Sequence, residues 1–192
     1  MIVFVRHGET EANRRRLALG RADPPLTERG VQQAEAVAER VRAFEPAVVR
    51  TSPLLRARAT AEAIARATGA EVVVDERLVE MDYGEWDERG FGDIPAAELA
   101  RWRTDASLAP PGGESLEDVA ARVAGFCAEH VDASTIVAVS HVSPIKAAAI
   151  WALGADQLLA WRMFLDLASI TRVDARPDGT PYLLSFNDTA HL

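Results

Sequence analysis

Ile2-Val3-Phe4-Val5-Arg6-His7-Gly8-Glu9-Thr10 is the stretch from which the fold can be read. Four apolar, mostly β-branched residues in a row read as a strand covered on both faces, as in the interior of a parallel sheet. The run stops at a cation, an imidazole and a glycine. In open α/β sheets ligands collect at the carboxyl ends of strands, so this turn stands where a site belongs. Gly8 allows the backbone to approach a ligand, and the amides after it can point at an anion. By themselves Arg6 and His7 fit equally well a ligand-binding turn and a salt-bridged Arg with a surface His at a strand end.

Outward from this strand the pattern alternates. A polar loop over roughly residues 8–26 carries Arg14-Arg15-Arg16, which read as a solvated face, and Asp23-Pro24-Pro25. Thr27 can cap a helix whose buried face is Val31, Ala34, Ala38 and Val41. Ala47 to Thr51 is a second strand, and Ser52-Pro53 suits the start of a helix through Leu54, Ala57, Ala61 and Ile64. Glu71 to Asp75 is a third strand. Residues 80–113, with Tyr83, Trp86, Phe91 and Trp102 among Gly, Asp and Pro, form a lid-like excursion with a short helix after Pro95. The two tryptophans fit core packing and ligand stacking equally well. Ser115 opens a helix, with Asp118 completing a capping box, and Glu114 belongs to that start. Thr135 to Val139 is a fourth buried strand, and a helix runs from Ser143-Pro144 to Leu153. A short helix follows near Asp156 to Trp161. Two closing strands, around Ser169 to Asp174 and Tyr182 to Phe186, flank Asp178-Gly179. The expected fold is α/β: a single domain over 1–192, a three-layer α/β/α sandwich with a mainly parallel central sheet.

Composition narrows the function. The 192 residues are 48% hydrophobic and 26% charged, ordinary for a globular chain that buries a full core. A formal net charge of −8 disfavours general nucleic-acid binding, although it leaves room for a small cationic pocket. Cys127, the one cysteine, reads as a packed core thiol. The first apolar run is broken by Arg6, and Ala147 to Leu153 is too short for a membrane span, so the cytoplasm is the expected compartment. Four histidines without ligand spacing give no metal motif. His130 is expected at a helix end, where a positive charge suits the dipole.

The chemistry gathers at one sheet edge. Arg6 and His7 follow strand one, Arg56 follows strand two, Glu80 strand three and His141 strand four, and parallel strands leave all of them on the same side. Two guanidiniums and two imidazoles make a compact site for a phosphoryl dianion, an imidazolium adding a further donor. One imidazole in line with phosphorus can act as nucleophile while the other groups stabilise the equatorial oxygens. The leaving alkoxide needs a proton. Glu80 is the candidate donor, its neutral form favoured by Leu78, Met81, Tyr83 and Trp86, with Asp82 and Glu85 as alternatives.

Arg6-His7-Gly8-Glu9-Thr10 with Asn13, Gly20, Asp23 and Pro25-Leu26-Thr27, then Ser52-Pro53-Leu54-Leu55-Arg56-Ala57, Glu80 to Asp87, Gly112 to Ser115 and Ser140-His141 form five blocks in order. Together they resemble the histidine phosphatase, or phosphoglycerate-mutase-like, superfamily over nearly the whole chain. The resemblance implies His7 as the phosphorylated nucleophile, Arg6, Arg56 and His141 as the phosphate pocket, and Asn13 as a further phosphate contact. It implies Glu80 as proton donor and no metal or organic cofactor. The blocks depart from the family in three places. Val142-Ser143-Pro144 replaces the usual glycines, leaving the Val142 amide to reach phosphate. Leu19 stands where broad-specificity phosphatases often have Gln, and Asp87-Glu88 replaces an acidic-glycine pair. The Ser140 to Lys146 block and Asn187-Asp188-Thr189 are similar to α-ribazole-phosphatase-type members, and Trp102 to Ser115 to glucosyl-phosphoglycerate phosphatases. The expected function is hydrolysis of a small phosphate ester by a monomer or homodimer. A phosphoglycerate mutase and a non-catalytic phosphate-docking module are the alternatives.

Overall fold

The computed structural model describes residues 1–131 and 134–192. Six strands, β1 (Ile2–Arg6), β2 (Val48–Thr51), β3 (Glu71–Val74), β4 (Ile136–Ser140), β5 (Ile170–Ala175) and β6 (Pro181–Asp188), form one sheet in the order β3-β2-β4-β1-β5-β6. The first four run parallel, whereas β5 is antiparallel to β1 and β6 to β5. The architecture is a mixed α/β fold with helices on both faces of the sheet.

Strand alternation explains the two layers. Ile2 and Phe4 face a core shared with α5 (Leu116–His130) and α6 (Val142–Leu153). Val3 and Val5 point the other way, into a core built with α2 (Glu28–Arg42) and α3 (Leu55–Thr68). All four side chains are fully buried, as an unbroken apolar run requires. Register then sets the site. Arg6 lies beside Ser140, and Thr51 beside Val139, so His7, Ser52 and His141 leave the sheet side by side.

Several local expectations change. Residues 11–14 form a short helix, α1 (Glu11–Arg14), capped reciprocally by Thr10 and Asn13. Ser52 does not cap α3, which starts at Leu55 behind an uncapped Leu54. The Ser52 hydroxyl is instead engaged by the Leu54 amide (3.3 Å) and the His141 ring (2.7 Å).

The excursion over 80–113 carries α4 (Ala96–Trp102) and packs inward. Trp86 and Trp102 are buried and meet edge to face (5.3 Å), and Trp102 also meets Trp161 (4.3 Å), so both are packing residues. Cys127 is fully buried, its thiol pushed up to about 12 by burial. His130 ends α5, but burial holds its pKa below the usual imidazole range, so the expected stabilising positive charge is disfavoured. Among the described residues no helix is long and apolar enough to cross a membrane.

Candidate active site

The ends of β1 and β4 bring the His7 and His141 rings together, with centroids 5.0 Å apart and both side chains buried. His7 Nδ1 lies 2.7 Å from the Gly8 carbonyl oxygen, which can only accept. The proton is therefore on Nδ1 and the lone pair on Nε2. Burial, then the Arg56 and Arg6 charges, holds the His7 pKa well below the imidazole range. His141 is lowered for the same reasons, with His7 contributing. Both rings are neutral at pH 7, which corrects the expectation of an imidazolium donor.

The cations come from the end of β1 and the start of α3. Arg6, at the end of β1, donates to the Leu165 carbonyl (2.6 Å), and burial lowers its pKa to about 10. Arg56, in the first turn of α3, is wholly buried. It donates to the carbonyls of Ala22 (2.7 Å) and Gly20 (2.8 Å). Those carbonyls are held in place by Asp87, whose carboxylate accepts the amides of Gly20, Arg21 and Ala22 at 2.7–2.9 Å. In the sequence Asp87 closes the Glu80 to Asp87 block and opens the unusual Asp87-Glu88 pair, with no role assigned to it. It shapes the loop that supports Arg56.

Glu80 is buried and lines the same cavity as His7. Its carboxylate accepts three amides, from Met81 (2.7 Å), Val142 (3.1 Å) and Ser143 (3.2 Å), the last two at the start of α6. The Val142 amide expected for phosphate is thus bonded to Glu80. Asp82 and Glu85 do not line this cavity. Asn13 does. Its Oδ1 accepts from the Thr10 amide and hydroxyl, which leaves the side-chain nitrogen for a ligand.

Gly8 has a different use from the one expected. A Cβ there would collide with the Gly30 carbonyl of α2, and one on Gly30 with the Glu9 backbone. The pair lets the turn after β1 touch α2. The amides of Gly8, Glu9 and Thr10 donate to Thr60, Gln33 and Asn13 side chains, not outward to an anion.

The cavity reaching His7 has a volume of about 240 Å³ and is walled by Arg6, Asn13, Leu19, Glu80, Val142 and Lys146 among others. His141 and Arg56 sit behind this wall, not on it. A larger cavity of about 850 Å³ shares Arg6 and Asn13 and adds Arg16 and Arg29. Arg14 and Arg15 are exposed. Glu114 accepts from Arg21, Arg122 and the Asp82 amide, an anchor for the turn after Glu80. Among the described residues no group of three or more His, Cys, Asp or Glu is placed to hold a metal ion.

The two neutral rings make stability depend on pH. Unfolded, each imidazole titrates near 6.5; folded, each resists protonation to a lower pH. Below about pH 6.5 the unfolded chain therefore binds more protons, and stability falls as pH falls, by up to about 1.4 kcal/mol per pH unit for each ring. Urea unfolding between pH 7 and pH 5 checks this. The His141→Gln protein is expected to show a shallower slope, and an unchanged slope would assign the effect to other groups.

Known proteins resemble this chain over nearly its whole length. A family model described as Histidine phosphatase superfamily (branch 1) matches residues 2–189. A protein of Mycobacterium tuberculosis named as bifunctional is 39% identical over 203 residues, covering all of this chain and 54% of the relative. The chain thus spans about half the length of that relative. The "Probable phosphoglycerate mutase GpmB" of Cronobacter sakazakii is 35% identical over all of this chain and 94% of its own. Among solved structures, a mycobacterial glucosyl-3-phosphoglycerate phosphatase complexed with VO3 superposes with a TM-score of 0.89. It is 34% identical, covering 98% of each chain.

Proposed function

Because the chain belongs to the histidine phosphatase superfamily, we propose that it hydrolyses a small phosphomonoester through a phosphohistidine on His7, with Glu80 moving the protons. The observation that carries this is the His7 ring: neutral, its Nε2 lone pair free, within reach of the Arg56 and Arg6 charges and on one cavity wall with Glu80. Nε2 attacks phosphorus, the P–O bond to the alcohol breaks, and Glu80 gives its proton to the leaving oxygen. Arg6, Arg56 and His141 stabilise the equatorial oxygens, Asn13 adding a donor. A water then gives its proton to Glu80 and attacks phosphorus, the P–N bond breaks, and phosphate leaves with His7 restored. A phosphate that takes the Val142 amide displaces Glu80 from it.

The mutase-named relative keeps one other reading open, isomerisation of phosphoglycerate by the same first half-reaction. Incubation with 3-phosphoglycerate and with p-nitrophenyl phosphate separates the two: steady release of inorganic phosphate is expected, and isomerisation without release would overturn hydrolysis. Glu80→Gln is expected to lower kcat for alkyl phosphates about 10²–10⁴-fold while affecting p-nitrophenyl phosphate, whose leaving group needs little protonation, distinctly less. Equal loss on both esters would move the acid role to another group.

A further inference from the structure

Beyond the reacting groups, the small cavity has an uneven wall. Leu19, Tyr83, Phe91 and Trp161 give it an apolar, largely aromatic side. Lys146 lies on α6 four residues after Val142, both lining the cavity. Four residues of α-helix rise about 6 Å, one turn. Within the described structure the Lys146 ammonium makes one hydrogen bond, to the Ala160 carbonyl (2.9 Å), which leaves two of its three donors free. Glu80 is the one carboxylate on the wall, and it is bonded to three amides. Arg6 on the same wall is held by the Leu165 carbonyl, so Lys146 is a second cation, one helical turn from Val142 and beside an apolar surface. Burial and, more weakly, the Arg6 charge disfavour the ammonium form of Lys146 while the Glu80 charge favours it, and an incoming anion adds to that stabilisation.

We propose that Lys146 is a specificity-determining residue that pairs with a carboxylate on the substrate's leaving group, selecting phosphate esters of carboxylated alcohols or phenols with an apolar body. The inference rests on the hydrolase reading. A monoanion is the better match than a second phosphate, because one ammonium with two free donors balances one charge, and the surrounding apolar surface penalises the excess. Leu19 fits the same purpose: it supplies apolar contact to the leaving group's body and no polar group to it.

The test compares three aryl esters: 4-carboxyphenyl phosphate, 4-(hydroxymethyl)phenyl phosphate and phenyl phosphate. The wild-type protein is expected to prefer the carboxylated ester over its neutral analogue by about tenfold or more in kcat/KM. Lys146→Gln, which retains a donor for the Ala160 carbonyl, should bring that ratio close to one while phenyl phosphate stays within about twofold, and Lys146→Arg should preserve the preference. A ratio unchanged in Lys146→Gln, or all three esters falling together, overturns the proposal, the latter by making Lys146 a structural strap. Should the wild-type protein turn over none of the esters, the hydrolase reading fails, and calorimetric binding decides for Lys146 alone. A carboxylate-dependent gain in affinity that Lys146→Gln abolishes supports it, and equal affinities overturn it.

Discussion

His7→Ala is expected to lower kcat for p-nitrophenyl phosphate by about 10³–10⁴-fold or more, a loss of roughly 4–5.5 kcal/mol in transition-state stabilisation. The substitution removes the nucleophile and leaves the surrounding cations. Arg6 and Arg56 are held by carbonyls of Leu165, Gly20 and Ala22, none of which involves His7. Inorganic phosphate should therefore still bind and still inhibit residual turnover within a few-fold of its wild-type affinity. The covalent step has its own readout. Wild-type protein mixed with a ³²P-labelled ester and quenched in alkali should carry label, since phosphohistidine survives base, and His7→Ala should carry none. The Gly8 carbonyl sharpens the assignment, because it fixes the His7 proton on Nδ1 and frees Nε2. The His141 Nε2, by contrast, already faces the Ser52 hydroxyl at 2.7 Å. Label retained by His7→Ala and lost by His141→Ala would transfer the nucleophilic role to the second ring.

What could be read in advance divides along a physical line. The unbroken run Ile2 to Val5, the similar run Ile136 to Val139, and polar residues just past each strand are local features, and parallel pairing carries them to one edge without further information. What depends on distant partners has no local signature. Gly8 looked like a phosphate turn because the Gly30 backbone that crowds it lies 22 residues away in sequence, and nothing local reports that contact. Ser52 before Pro53 has the form of a helix cap, yet its hydroxyl is claimed by His141, 89 residues on. The protonation of the rings was misjudged for a related reason: charge neighbours could be inferred from the strand order, but complete burial, the larger cause, could not. Asp87 reads only as the end of the Glu80 to Asp87 block, since a carboxylate that clamps the loop 20–22 bears no signature until the loop is in place.

Arg56→Ala is the substitution expected to harm both catalysis and stability. Arg56 is the largest side chain the fold buries completely, and its two terminal nitrogens hold the carbonyls of Gly20 and Ala22. Truncation removes a cation from beside His7, leaves two acceptors without donors and opens a void under the loop. Losing one member of a buried charge cluster costs about 3–5 kcal/mol of stability, and removing a transition-state cation about 10²–10³-fold in kcat/KM. Arg56→Lys separates the two effects. It keeps a charge, but one ammonium cannot span two carbonyls and a phosphoryl oxygen with a planar fork, so stability should recover further than activity. Asp87→Ala then tests whether the loop itself matters. It frees the amides of Gly20, Arg21 and Ala22 while every phosphate ligand remains, and it is expected to raise the inhibition constant of inorganic phosphate about tenfold through a loosened Arg56. An Asp87→Ala protein that loses stability but binds phosphate as tightly as wild type would show that Arg56 keeps its position without the loop, and would confine Asp87 to a packing role.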